Sequence, residues 1–165
     1  MTHTNTLYGG AGSHRLFGIV GNDRLVGGRE KDWLDGGKGA DKLDGGRGRD
    51  VLIGGKGNDI LAGGAYRDAF VCDRRSGKDI IRNFDVANDR LVLWLETRVM
   101  ESDVYETWYA KPWLAPNGLE AIKSSPVVTA SQVAKGTLVD WGNAYVLLEN
   151  IALDAYLASA NVVVA

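Results

Sequence analysis

Cysteine is nearly absent: Cys72 stands alone in 165 residues. A single thiol can form no intramolecular disulfide, and a cysteine-based zinc site is excluded. Histidine is almost as scarce, with His3 and His14 only, and no H-E-x-x-H motif is present to build a zinc protease. No G-x-S-x-G elbow, Cys–His pairing or phosphate loop stands out either. The apolar runs are too short to span a bilayer. The segment from Met1 to Thr6 has neither a basic n-region nor an apolar run, so no Sec-type signal is expected. With a net charge of −2 the chain has no general pull on nucleic-acid phosphate.

Glycine is what the chain has in excess, and 18 of its 22 glycines lie between Gly9 and Gly64. Such a stretch is costly to order unless something outside the chain fixes its loops. A bound metal would do so. Written in nines from Gly9, the sequence reads GGAGSHRLF, GIVGNDRLV, GGREKDWLD, GGKGADKLD, GGRGRDVLI, GGKGNDILA and GGAYRDAFV, seven units without an insertion, ending at Val71. Glycine heads every unit. The sixth position is Asp23, Asp32, Asp41, Asp50, Asp59 and Asp68, with His14 in the first unit. The eighth is Leu16, Leu25, Leu34, Leu43, Leu52, Leu61 and Phe70. A flexible linker has no reason to keep a large apolar residue at every ninth position.

Glycine permits the tight and left-handed turns that aim carbonyl oxygens at a common point. Carboxylate and carbonyl oxygens are hard ligands that suit Ca²⁺ better than a transition metal. The last three residues of each unit make a short strand whose single inward side chain, position eight, fills a narrow core.

This G-G-x-G-x-D-x-U-x pattern resembles the RTX (hemolysin-type) calcium-binding nonapeptide repeat. The resemblance implies an all-β fold, a right-handed parallel β-roll with two nonapeptides per coil and a β-rich C-terminal cap. It implies ions held between stacked loops by Asp side chains of neighbouring coils and by loop carbonyls, those of Gly36, Gly45 and Gly54 among them. One edge would carry Asp32, Asp50 and Asp68 and the other Asp23, Asp41 and Asp59, which makes about four core calcium sites. His14 is expected to cap the stack rather than bind. Glu30 and Tyr66 replace the second loop glycine in their units.

After Val71 the glycine period stops. Gly77 to Asp85 and Asn88 to Leu93 resemble the end of the roll in serralysin-type proteases, and equally the R-modules of secreted mannuronan C5-epimerases. Asp79, Asp85 and Asp89 are candidates for one further calcium site near the cap. Residues 137–149 read as a hairpin around Gly142-Asn143, residues 154–160 as a helix, and Val162 to Ala165 as an apolar end resembling a type I secretion signal. The expected organisation is therefore a lead-in over 1–8, a seven-repeat roll over 9–71 and a capping region over 72–165.

Positions seven and nine face outward. Those of the odd-numbered units are largely apolar, Trp33, Val51, Ile53 and Val71 among them. An apolar outer face requires a cover, and a solvent-exposed Trp33 would exclude one. Loop positions three and five place Arg29, Lys31, Arg47, Arg49 and Arg67 along one edge, a regular cationic row of the kind a linear polyanion recognises. With the epimerase resemblance, the expected partner is an anionic polysaccharide such as alginate. The aromatic stretch from Tyr105 to Trp113 is read as cap packing, and Asp103, Tyr105 and Glu106 as the one place for an uronate-acting site. Taken together, the expectation is a secreted, type I-exported, calcium-binding and non-catalytic module without a membrane span. It is expected to act alone, as the folding and secretion module of a linked catalytic domain, or as a small adhesin or matrix subunit.

Overall fold

The computed structural model describes residues 3–73, 75–94, 129–140, 144–158 and 162–164. The alternation within each unit sets the local structure. The short x-Leu-x segment is extended, and the Gly-Gly pair that follows lets the strand run on before the chain turns. Ten strands wind in this way: β1 (Thr6–Gly10), β2 (Arg15–Phe17), β3 (Arg24–Arg29), β4 (Trp33–Lys38), β5 (Lys42–Arg47), β6 (Val51–Lys56), β7 (Ile60–Ala65), β8 (Ala69–Asp73), β9 (Lys78–Arg82) and β10 (Arg90–Trp94). They alternate between two parallel sheets. The first runs β1-β3-β5-β7-β9 and the second β2-β4-β6-β8-β10. The chain is an all-β parallel roll, as the repeat implies.

Register follows the repeat. In the first sheet Leu7, Leu25, Leu43, Leu61 and Ile81 stand opposite one another in turn. In the second, Leu16, Leu34, Leu52, Phe70 and Leu91 do the same. The two columns meet between the sheets as one continuous core, fully buried from Leu25 onward and half-buried at Leu7 and Leu16, where the stack begins.

Two of the expected boundaries shift. Residues 6–8 are not a lead-in but belong to β1, because Leu7 stands nine residues before Leu16 and eighteen before Leu25, in register with the latter. The winding also continues past Val71. Ile81 and Leu91 take the next two core positions although the loops before them are longer than the repeat allows. Phe84, whose ring centroid is 5.8 Å from that of Phe70, fills the end of this coil.

The C-terminal segments extend both sheets. β11 (Thr129–Val133), β12 (Gly136–Asp140) and β13 (Tyr145–Glu149) form an antiparallel meander, and β13 joins β9 in parallel. The expected hairpin is thus β12–β13, although its turn at Gly142-Asn143 lies outside the described residues. Arg82 fastens the join through an ion pair to Glu149 at 3.2 Å. Helix α1 (Leu153–Ala158) places Tyr156, wholly buried, in the main core cluster. β14 (Val162–Val164) pairs in parallel with β10 and closes the second sheet. The stretch from Asp103 to Trp113 lies outside the described residues.

On the outer face of the second sheet Trp33, Val51, Ala69, Val71 and Val92 form a second buried cluster. Trp33 is 6% exposed, so the exposure that would have excluded a covered face is not found.

The core predicts a gradient of sensitivity. Leu52→Ala, in mid-stack, should cost about 3 kcal/mol by its lost burial and residual cavity. Leu7→Ala, at the half-buried end, should cost about 1 kcal/mol on the same scale. Denaturant unfolding in saturating calcium measures both, and equal losses would contradict the stacked core.

Candidate metal centres

Each loop turns the backbone so that its Asp side chain points along the roll axis rather than into solvent. Asp23, Asp32, Asp41, Asp50, Asp59, Asp68, Asp79 and Asp89 are all buried, none more than 2% exposed. They fall into two columns joined by one repeated hydrogen bond, in which the backbone N–H of each Asp donates to Oδ1 of the Asp one coil later. On the edge before the first sheet the bonds run Asp23 to Asp41 (2.6 Å), Asp41 to Asp59 (2.8 Å) and Asp59 to Asp79 (2.9 Å). On the other edge they run Asp32 to Asp50 (2.8 Å), Asp50 to Asp68 (2.9 Å) and Asp68 to Asp89 (2.9 Å). The N–H groups of Asn5 and His14 begin the columns by donating to Asp23 and Asp32.

The hydrogen-bond ladder uses one oxygen of each carboxylate. The second, Oδ2, has no hydrogen-bond partner in Asp23, Asp32, Asp41, Asp50, Asp59, Asp68 or Asp79, and all seven atoms are buried. A buried polar atom without a partner is costly, and a column of like charges more so. The glycine that heads each unit keeps the space beside that oxygen open. A Cβ on Gly36 would lie 2.5 Å from Asp41 Oδ2 and 2.7 Å from the Gly54 carbonyl oxygen. One on Gly45 would lie 2.6 Å from both Asp50 Oδ2 and the Gly63 carbonyl oxygen. The gap that glycine preserves is therefore lined by a carboxylate oxygen from one coil and a carbonyl oxygen from the next. Among the described residues no three acidic, His or Cys side chains converge as a metal cluster. Main-chain carbonyls make up the remainder of the donor set, and such an all-oxygen set is what Ca²⁺ takes. The residues present fit that ion.

Of the three candidates for an extra site, the structure does not bring Asp79, Asp85 and Asp89 together. Asp79 continues one column and Asp89 the other. Asp85 is an exposed turn residue that accepts from the Asn88 side chain (2.8 Å) and the Ala87 N–H (2.9 Å), contacts that hold its carboxyl below the usual range. Its own N–H donates to Asp89 Oδ2 at 2.9 Å and so satisfies the oxygen left orphaned elsewhere. Asp79 and Asp89 as column members escape a reading in strict nines, because they stand 20 and 21 residues after their partners instead of 18. The signal was there in Ile81 and Leu91, each two residues further on in the core.

Positive φ persists at the irregular units. Glu30 and Tyr66 adopt φ of 73° and 88°, and Ile19, which replaces the second glycine of its unit, adopts 74°. These are left-handed values that non-glycine residues hold only under strain.

Without a cation, burial pushes the carboxyls up. Asp50, Asp59 and Asp68 rise from 3.8 to about 7 and Asp79 to about 8. Burial is the largest cause, the ladder hydrogen bond opposes it, and the neighbouring carboxylates add to the rise. Asp41 is raised too, and Asp89 reaches about 6.

The basic residues form two files. Arg29 stands in register with Arg47 across β3 and β5, and Ala65 takes the next step on β7. Lys31, Arg49 and Arg67 precede the Asp32 column. Arg29, Arg47, Arg49 and Arg67 are exposed and Lys31 half-buried. Lys31 and Arg49 already have interactions within the fold. Beside the first file runs a shallow groove floored by Gly10, Gly28 and Gly46 and bordered by Arg29 and Arg47.

Stacked glycine loops, two carboxylate columns and a leucine core define a metal-binding parallel β-roll. The family model of the RTX calcium-binding nonapeptide repeat matches residues 17–52 and 37–65, in four copies. The match covers residues 17–65 of the 165. No curated protein matches the chain significantly. Among solved structures it is similar to the extracellular lipase LipA from Serratia marcescens, at 17% identity and a TM-score of 0.44, over 98% of this chain and 38% of that one. The chain thus spans about two-fifths of that lipase's length. Among the described residues no helix is long and apolar enough to cross a membrane.

The raised carboxyls predict a pH dependence whose sign is opposite with and without metal. Between about pH 4 and 8 the folded, metal-free roll holds protons that an unfolded chain has released, so its stability falls as pH rises. In chelator, strand content followed by circular dichroism should be greater at pH 5 than at pH 8. With calcium, which competes with those protons, affinity should rise over the same interval. A metal-free fold that strengthens toward pH 8 would contradict the orphaned columns.

Proposed function

We propose that this chain is a non-catalytic, secreted module that folds on binding calcium and then holds an anionic polysaccharide, such as alginate, along its basic edge. The observation that carries the first part is the set of seven buried, unpartnered carboxylate oxygens. Adjacent column members, Asp23/Asp41, Asp41/Asp59 and Asp59/Asp79 on one edge and Asp32/Asp50, Asp50/Asp68 and Asp68/Asp89 on the other, would hold the ions together with loop carbonyls such as those of Gly45 and Gly54. Bound calcium supplies positive charge that neutralises the columns. The chain itself supplies the hydrogen-bond ladder, the glycine gaps and the core that make coil stack on coil. At low calcium the like-charged columns disfavour the roll, a state suited to type I export. At the millimolar calcium of extracellular sites binding energy becomes folding energy.

The polysaccharide reading is supported by the in-register Arg29 and Arg47 beside a glycine-floored groove. Parallel strands repeat at about 4.8 Å, a step comparable to one pyranose ring, and arginine takes carboxylates in bidentate fashion. Titration calorimetry of the calcium-loaded chain with an oligouronate tests it. The wild type should bind, and Arg29→Glu with Arg47→Glu should weaken binding by about tenfold, since two exposed charge pairs of up to about 1 kcal/mol each are lost. Calcium-dependent folding should be unchanged. If the wild type folds with calcium and binds no oligouronate, the chain serves folding and secretion alone.

A further inference from the structure

The basic edge carries a feature that a row of charges does not need. Tyr66 occupies the loop position that is glycine in five of the seven units. It holds a φ of 88°, in the left-handed region, and the residue is 71% exposed. It packs into no core that would explain its being there. Strain kept at an exposed aromatic is a reason to look for a ligand. Its place is specific. Ala65, the residue before it, is the next step in register after Arg29 and Arg47, and Arg67, the residue after it, is exposed on the same edge. A linear chain lying along the glycine floor meets Arg29, then Arg47, then the level of Tyr66.

We infer that Tyr66 is the residue that makes this edge selective for a sugar polyanion, by packing its ring against the apolar face of a pyranose whose neighbours give their carboxylates to Arg47 and Arg29. The inference rests on the polyanion reading of the groove and adds the class of ligand it discriminates. Arginines alone accept any linear anion of suitable spacing. An exposed phenol ring offers a flat apolar face that a saccharide ring matches and a polyglutamate or polyphosphate backbone does not. Glu30, exposed two coils earlier at the same loop position and also left-handed, offers a carboxylate to hydroxyls.

The test compares an oligouronate with poly-L-glutamate of equal charge on the calcium-loaded full chain, for wild type, Tyr66→Gly and Tyr66→Phe. Tyr66→Gly restores the residue that the repeat favours at a left-handed φ, so its thermal midpoint should stay level or rise. Its affinity for the oligouronate should nevertheless fall about five- to tenfold, the range of an aromatic contact, with poly-L-glutamate binding unchanged. Tyr66→Phe should bind as the wild type does. An unchanged oligouronate affinity in Tyr66→Gly, or an equal loss for both polymers, overturns the role of Tyr66 and leaves the groove reading standing. Failure of the wild type to bind either polymer overturns the groove reading and this inference with it.

Discussion

Everything in this fold is arranged around buried carboxylates of like charge stacked one above another. From Asp23 to Asp68 each Asp gives its N–H to Oδ1 of the Asp one coil later and accepts at its own Oδ1 from the coil before, which fixes the rise from coil to coil and leaves Oδ2 unanswered. The leucine column holds the coils together from within, but it cannot relieve that charge. A leucine core of this width is a single file of side chains per sheet. The roll therefore cannot be treated as a hydrophobic fold decorated with metal. On the proposed reading, neutralisation of the columns is a condition of the packing.

The glycines serve the same constraint. At the head of each unit a side chain would enter the gap between a carboxylate oxygen and a carbonyl of the next coil. Further along the loop the backbone must turn left-handed, as Gly37, Gly46 and Gly55 do. Where a non-glycine residue takes a loop glycine's place, at Ile19, Glu30 and Tyr66, φ stays positive and the backbone bears strain. The columns also end differently. At Asp89 a turn N–H from Asp85 answers the free oxygen, whereas Asp79 carries its oxygen unpaired into the join with β13.

Much of this was legible in the sequence because the repeat reports on two things at once. Leucine every ninth residue states the core, and aspartate two residues before it states the column. The repeated positions Asp23 to Asp68 stand out from that, and the roll and its pairing of alternate units follow once the pattern is seen to resemble the RTX nonapeptide. What was not legible lies where one signal persists without the other. At the start, Leu7 keeps the core period but Asn5 stands where aspartate would, so β1 reads as a lead-in. After Val71, Asp79 and Asp89 keep the column but inserted residues break the count in nines. Sequence proximity then suggests grouping them with Asp85, although they sit on opposite edges. The long-range pairings of β13 with β9 and β14 with β10 have no local signature, since they depend on which open edge the returning chain meets.

The most direct measurement is far-UV circular dichroism of the whole chain at pH 7.5, first in chelator and then through a calcium titration. Little strand signal is expected in chelator, with its cooperative appearance as calcium is added and a thermal midpoint that climbs with calcium concentration. A chain already folded in chelator, whose midpoint ignores calcium, would contradict the claim that the carboxylate columns require a cation to pack.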